Sequence, residues 1–427
     1  MRASRCAIGI LAVLILGVPA LAQQSWFSET LVRSREAQQA FQYIDQNQDR
    51  QLEEWIRITG IPAPSGQELQ RALYMESEMK QAGLDEVFRD KAGNVVGRLY
   101  GTGAGPVVVF AAHMDTVHPA GTPVKVRQEG DTLYAPGVFD NSASCSNLLQ
   151  AIRAIRHSGA RLQGSLVFVA TVQEEVGLKG MRAFLEENRG KVGLLVAMDG
   201  GLGSVSYGAL GIHWIRFLYS AEGAHTNNSR GKPNPNRAVA RAILDISRLP
   251  VPGPESESSA ICNIGMIGGG KVFNAMSQES FFTVDLRSTD PGLLKDLDAQ
   301  ITLLAETAAR TENVGFRKEV VSENPAGGTE SQLAERRRHP IVQTGVDVLN
   351  YLLKDSYPGI KVGAVASGST DGNVGVEMGI PTIAVGRTFG RDQHTLQESA
   401  EIKPLFLATK QIILLAFALG RLEPGWP

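Results

Sequence analysis

The chain has 427 residues, 43% hydrophobic and 20% charged, with a formal net charge of −2. A length of this order exceeds what one hydrophobic core usually serves and predicts at least two. With Arg336-Arg337-Arg338 as its one basic run, the near balance of charge argues against nucleic acid or an anionic membrane surface as partner.

Residues 1–22 carry Arg2 and Arg5, an apolar run from Cys6 to Val18, then Pro19 and the small-residue triplet Ala20-Leu21-Ala22. This reads as a secretory signal cleaved before Gln23, and predicts a secreted or periplasmic protein. The apolar run is shorter than the ~20 residues that span a bilayer, and no other segment is expected to cross one. Cys6 leaves with the signal. Cys145 and Cys262 fall in different predicted domains, so a disulfide between them is not expected.

From Ser25 to about Ala82 the pattern is helical, interrupted by the breaker run Gly60 to Gly66. Strands are predicted at Glu86–Arg89, Val95–Tyr100 and from Val107. A helix over Ser142–Ser158, a strand over Ser165–Val172, a helix over Lys179–Asn188 and a strand over Gly193–Met198 follow. Such alternation predicts an α/β fold, a mostly parallel sheet between two helical layers, with ligands beyond the carboxyl ends of the strands. Between Tyr207 and Val321 the order becomes β-α-β-β-α-β, an inserted α+β unit of ferredoxin-like type. The chain then returns to the main sheet with a helix near Ile341–Leu353, strands at Lys361–Ala366 and Thr382–Val385, and a closing helix over Pro404–Leu419. The predicted division is signal 1–22, main domain 23–207 and 323–427, and insertion 208–322.

Polar residues collect at the predicted strand ends: His113 and Asp115, Asp140, Glu174 and Glu175, Asp199, and later His394. Residues i and i+2 of a strand share a face, so His113 and Asp115 project together. Taken singly, each group has an ordinary structural reading: a buried His–Asp pair, a solvated glutamate pair at a helix start, a turn aspartate. Together they place five carboxylates and two histidines in one crevice, where like charges repel unless cations neutralise them. The count suits two metal ions.

The motifs His113-Met114-Asp115, Gly137-Val138-Phe139-Asp140-Asn141, Gln173-Glu174-Glu175-Val176-Gly177, Met198-Asp199-Gly200 and His394-Thr395-Leu396-Gln397-Glu398 stand in this order. On them the mature chain resembles, along nearly its whole length, the M20 family of di-zinc metallopeptidases and amidohydrolases, including its peptidase T-like branch. The resemblance implies a zinc-exopeptidase-like catalytic domain carrying a lid and dimerisation domain. It implies that Asp140 bridges two Zn2+ ions, with Co2+ or Mn2+ as alternatives; that His113 and Asp199 complete one site; and that Glu175 and His394 complete the other. Glu174 would be the general base, Asp115 the support of His113, and the Asp140–Asn141 peptide cis. His225, in Glu222-Gly223-Ala224-His225-Thr226, resembles a lid histidine that reaches the substrate carbonyl from the partner subunit of a homodimer. Asn274 and Arg287 fall where the family holds substrate, although Asn274-Ala275-Met276-Ser277-Gln278 lacks a proline common there. The loop Ser367 to Gly372 is family-like too, and has no lysine of a phosphate loop.

The activity so implied is hydrolysis of short peptides, of aminopeptidase or di/tripeptidase type. Peptidase branches tend to carry Asp at the position of Asp199 where carboxypeptidase and deacylase branches carry Glu. The alternatives are an N-acyl-amino-acid amidohydrolase or carboxypeptidase using the same residues, and a catalytically silent peptide-binding module, whose mark would be a missing ligand or base. None is missing.

Overall fold

A computed structural model of the protein describes residues 25–256 and 258–423, so the expected signal segment lies outside the described residues. In chain order the strands are β1 (Glu86–Arg89), β2 (Val95–Leu99), β3 (Val108–His113), β4 (Arg127–Glu129), β5 (Thr132–Tyr134), β6 (Leu166–Thr171), β7 (Leu194–Met198) and β8 (Ser204–Ser206). Then come β9 (Gly211–Ser220), β10 (Ala260–Gly269), β11 (Glu279–Ser288), β12 (Gly315–Asn324), β13 (Gly363–Val365), β14 (Thr382–Val385), β15 (Gly390–Arg391) and β16 (Ser399–Glu401).

Eight strands form the main sheet in the order β1-β2-β6-β3-β7-β14-β8-β13. The central four, β6-β3-β7-β14, run parallel, whereas β1, β2 and β8 pair antiparallel with their inner neighbours. β3, β6 and β7 are buried along their whole length, which is why their sequences are continuous apolar runs rather than alternating ones. The period of two survives in where the side chains go. Val108, Phe110 and Ala112 enter one core with the helices Ala143–Ser158 and Ile402–Leu419; Val109 and Ala111 enter another with the helix Lys179–Glu187. This is the predicted three-layer α/β arrangement.

Two features depart from expectation. A separate four-stranded sheet has the order β15-β16-β5-β4; strands of two or three residues carry no readable period. The helix Ile402–Leu419, with mean hydropathy 1.7, is long and apolar enough to cross a bilayer, contrary to the expectation that no segment past the N-terminus is. In the fold 83% of it is buried, so its apolarity serves the core.

The inserted sheet has the order β10-β11-β9-β12, all antiparallel, with the helices Pro235–Ile246 and Pro291–Glu312 over one face. That is the fourth-first-third-second order of a ferredoxin-like unit. Phe217, Phe282, Val239 and Ile301 are among its separate core.

The chain enters the insertion through Ala209 and Leu210 and leaves it through Pro325, and one side chain holds both crossings. Asn373, buried, donates from Nδ2 to Leu210 O and to Pro325 O, each at 2.9 Å. Leu210 N–H donates to Gly368 O at 2.7 Å, and Asn324 Nδ2 to Ser369 Oγ at 3.0 Å. The glycine-rich loop therefore clamps the hinge. Asn373→Ala strands two carbonyls without this donor, and is expected to lower stability by roughly 2–3 kcal/mol in a denaturant melt; a loss under about 0.5 kcal/mol would show that other donors replace it.

Candidate metal centre

The four central parallel strands deliver polar groups to one crevice, in spatial order. β6 leads through Val172 and Gln173 to Glu174 and Glu175, β3 ends on His113, β7 is followed by Asp199, and β14 is followed two residues on by Arg387. Asp140 comes from above the sheet, in the turn Val138–Ser142 that feeds the helix Ala143–Ser158. The Asp140–Asn141 peptide is cis. Gly137 has φ +72, and a Cβ there would lie 2.7 Å from Thr116 Cγ2, so the turn requires glycine on two counts.

Asp140 sits at the centre. Its Oδ1 lies 3.1 Å from His113 Nε2 and its Oδ2 lies 3.1 Å from His394 Nε2. On the first side, Asp199 Oδ2 is 3.8 Å and Glu174 Oε2 3.9 Å from His113 Nε2; on the second, Glu175 Oε2 is 3.5 Å from His394 Nε2. His394 has φ +66, a left-handed turn in the loop between β15 and β16. Two overlapping triads, His113–Asp140–Glu175 and His113–Glu174–Asp199, bring their ligand atoms within 4.8 Å of one another.

Electrostatics sharpen the picture. Burial and repulsion from Glu175, Asp199 and Asp371 outweigh attraction to His113 and hold the Glu174 carboxyl well above the usual range. Burial together with Asp140 pushes Glu175 up to about 8. Burial acts on Asp140 as well, but Arg387, His113 and His394 override it and hold that carboxyl well below its ordinary value. Glu175 Oε1 is buried with no hydrogen-bond partner among the described residues. An orphaned buried oxygen, crowded carboxylates and two imidazole nitrogens form the donor set that divalent cations bind, and the residues fit such ions.

The surrounding groups hold this set in place. Asp115 reaches both walls: its main-chain carbonyl lies 3.1 Å from His113 Nδ1, while its carboxylate accepts the N–H groups of Glu174 (2.9 Å) and Glu175 (3.2 Å) and the Ser65 hydroxyl (2.6 Å). The carboxylate of Asp115 thus braces the glutamate turn as much as the histidine, from which it stands 3.6 Å. Glu398 does the same for Asp140, accepting from the N–H groups of Phe139 and Asp140, each at 2.7 Å, and of Gly137 at 3.0 Å. Cys145, its thiol pushed up to about 11 by burial, donates to His113 O at 3.2 Å, and both cysteines are free.

The fold brings together His113, Asp115, Asp140, Glu174, Glu175, Asp199 and His394. It does not bring His225, Asn274 or Arg287 to them within one chain. His225 and Asn274 are exposed neighbours on the insertion, where Thr226 N–H donates to Asn274 O at 3.0 Å. Arg287 points its fork at Asp285, Nη2 to Oδ2 at 2.9 Å. No hydrogen bond or ion pair joins these three to the cluster among the described residues. Arg387, Glu398 and Gln393, whose Nε2 donates to Asp140 Oδ2, are groups that sequence reasoning missed as parts of the site. A charged residue just past a buried strand was the available signal for Arg387.

The profile of Peptidase family M20/M25/M40 matches residues 109–410. The Bacillus subtilis protein YqjE is 25% identical over 391 residues, covering 86% of this chain and 98% of its own length. Among solved structures, a tripeptidase from Staphylococcus aureus superposes with a TM-score of 0.70 at 23% identity, over 88% of this chain and 99% of that one. A dinuclear metal binding peptidase of Bacillus subtilis superposes with a TM-score of 0.61 at 15% identity, over 87% of this chain and 98% of that one.

Proposed function

This chain belongs to peptidase family M20/M25/M40, a family of metal-dependent peptidases and amidohydrolases, and from that premise we propose that it is a secreted zinc-dependent exopeptidase acting on short peptides. The observation that carries the reading is the shared carboxylate of Asp140, one oxygen toward His113 and the other toward His394, with Glu174 beside the first. His113, Asp140 and Asp199 would hold one Zn2+ ion, and Asp140, Glu175 and His394 the other. Bound there, the cations would supply electrophilic polarisation of the scissile carbonyl and acidify a nearby water.

Glu174 is the proton carrier in this reading. It would take a proton from the attacking water and return it to the leaving amine, a task suited to a carboxyl that stands 3.9 Å from His113 Nε2 without being one of the proposed ligands. Asp115, through the Glu174 N–H, fixes where that carboxyl stands. His225 would donate to the oxyanion from the partner subunit, with Asn274 and Arg287 holding the substrate's polar end. The route is a homodimer through the insertion. Its edge strand β10 supports this, since Ile261, Met266 and Ile267 are exposed there at 59%, 52% and 64%.

Zinc-loaded mature protein is expected to hydrolyse free-amine di- and tripeptides in preference to N-acetylated amino acids. Turnover of the N-blocked compounds alone would establish the amidohydrolase or carboxypeptidase alternative; no turnover of either, with zinc bound, would establish the silent binding module. His225→Ala is expected to lower kcat roughly 10²–10³-fold. Mixing that variant with Glu174→Gln protein should restore activity, because a mixed dimer holds one site with both residues intact. A mixture no more active than its components would sink the cross-subunit role.

A further inference from the structure

We infer that Arg387 is a resident counter-ion that makes the two halves of the centre unequal, weakening cation binding on the His113–Asp199 side relative to the Glu175–His394 side. The assignment rests on the metal centre proposed above. The Arg387 side chain is fully buried. Its Nη1 pairs with Asp199 Oδ1 and its Nη2 lies 3.1 Å from Asp140 Oδ1, while Glu175 and His394 are not among its ion-pair partners. Asp140 Oδ1 is the same oxygen that faces His113; the oxygen that faces His394 is Oδ2. A cation on the first side must therefore share Asp140 Oδ1 with a guanidinium and finds Asp199 Oδ1 already taken. What remains is Asp199 Oδ2, 3.8 Å from His113 Nε2. A cation on the second side shares Asp140 Oδ2 only with the neutral amide Nε2 of Gln393, which carries no charge to repel it.

The guanidinium has no way to yield. It does not deprotonate in a protein, so unlike a histidine it cannot give up its charge when a metal arrives. The Phe139 ring lies 4.1 Å beneath it, and the main chain that carries it is held as well, Asn147 Nδ2 donating to Arg387 O at 2.9 Å and Arg387 N–H to Gly200 O at 3.2 Å. Among the described residues it is the one permanently charged cation paired with the proposed carboxylate ligands, whose other ion-pair partners are histidines. In a buried site a fixed positive charge is screened less than at the surface, so it repels an incoming dication.

The test separates charge from geometry. Arg387→Gln removes the charge and keeps a donor for Asp199; Arg387→Lys keeps the charge and loses the fork. Chelator-stripped protein is titrated with Zn2+ by calorimetry in a His394→Ala background, which isolates the His113–Asp199 side. Zinc affinity is expected to rise at least about tenfold with Gln and to stay within about threefold with Lys. Unchanged or weaker binding with Gln overturns the assignment, since Arg387 would then act only by holding the carboxylates in place. Thermal melts provide a second readout in the otherwise unsubstituted chain. The gain in Tm on adding saturating Zn2+ should be larger for Arg387→Gln than for Arg387, and an equal or smaller gain overturns the assignment. Failure of the unsubstituted protein to take up zinc overturns the proposed centre and this assignment with it, whereas uptake with unaltered affinity in Arg387→Gln overturns the assignment alone.

Discussion

Glu174→Gln is expected to lower kcat by roughly 10²–10⁴-fold while the zinc content stays that of the unsubstituted protein. The side chain is nearly isosteric, so volume and packing are kept in a pocket where Glu174 is buried. Its N–H still donates to Asp115 Oδ1. Only the ability to take up a proton is gone. The variant is expected to be at least as stable as the parent, because one of several mutually repelling carboxylates, among them Glu175, Asp199 and Asp371, has been made neutral. Glu175→Gln, one residue away, is the contrasting case: it removes a proposed ligand, so zinc content falls along with activity. Steady-state kinetics beside metal analysis distinguishes the two. A Glu174→Gln enzyme retaining more than about a tenth of the parent kcat would remove Glu174 from the proton transfer.

What could be read from the chain beforehand follows the physics of each signal. The central strands were legible because burial on both faces leaves unbroken apolar runs, and their functional residues because polar groups interrupt those runs at the carboxyl end. The insertion was legible from the order of its longer elements and the change in pattern after Tyr207. β4, β5, β15 and β16 were not, since two or three residues establish no period. Arg387 was passed over for a different reason. The strand before it was predicted, but a lone arginine past Val385 carries no spacing, and its partners Asp140 and Asp199 lie 247 and 188 positions earlier in the chain. Glu398 stood inside a quoted motif, yet its contacts run to main-chain N–H groups of Gly137, Phe139 and Asp140, which no side-chain pattern records. The bracing of Glu174 and Glu175 by the carboxylate of Asp115 is likewise a main-chain matter. Side-chain chemistry was visible in the residue types; the main-chain scaffolding that aims it needed coordinates.

Asp140→Asn is expected to reduce bound zinc from two ions to fewer than one per chain and kcat/KM by roughly 10³-fold or more. Every other proposed ligand belongs to one half of the centre, whereas Asp140 belongs to both, through Oδ1 toward His113 and Oδ2 toward His394. Replacing it by a neutral amide with a single acceptor oxygen withdraws a negative charge from both halves and a ligand atom from at least one. The main chain has reason to stay where it is: Glu398 still accepts from the N–H groups of residues 137, 139 and 140, and Trp55 Nε1 still donates to Val138 O at 2.7 Å. Loss of zinc can then be read as loss of a ligand and not of the turn. Stability of the metal-free protein should change less than activity, because two effects oppose each other. Arg387, His113 and His394 lose a counter-charge, while Glu175 and Glu398 lose a repelling neighbour. Full zinc occupancy in Asp140→Asn would mean that the two halves do not meet at this carboxylate, and the centre would have to be rebuilt around His113, Glu174 and Asp199 as a single-ion site.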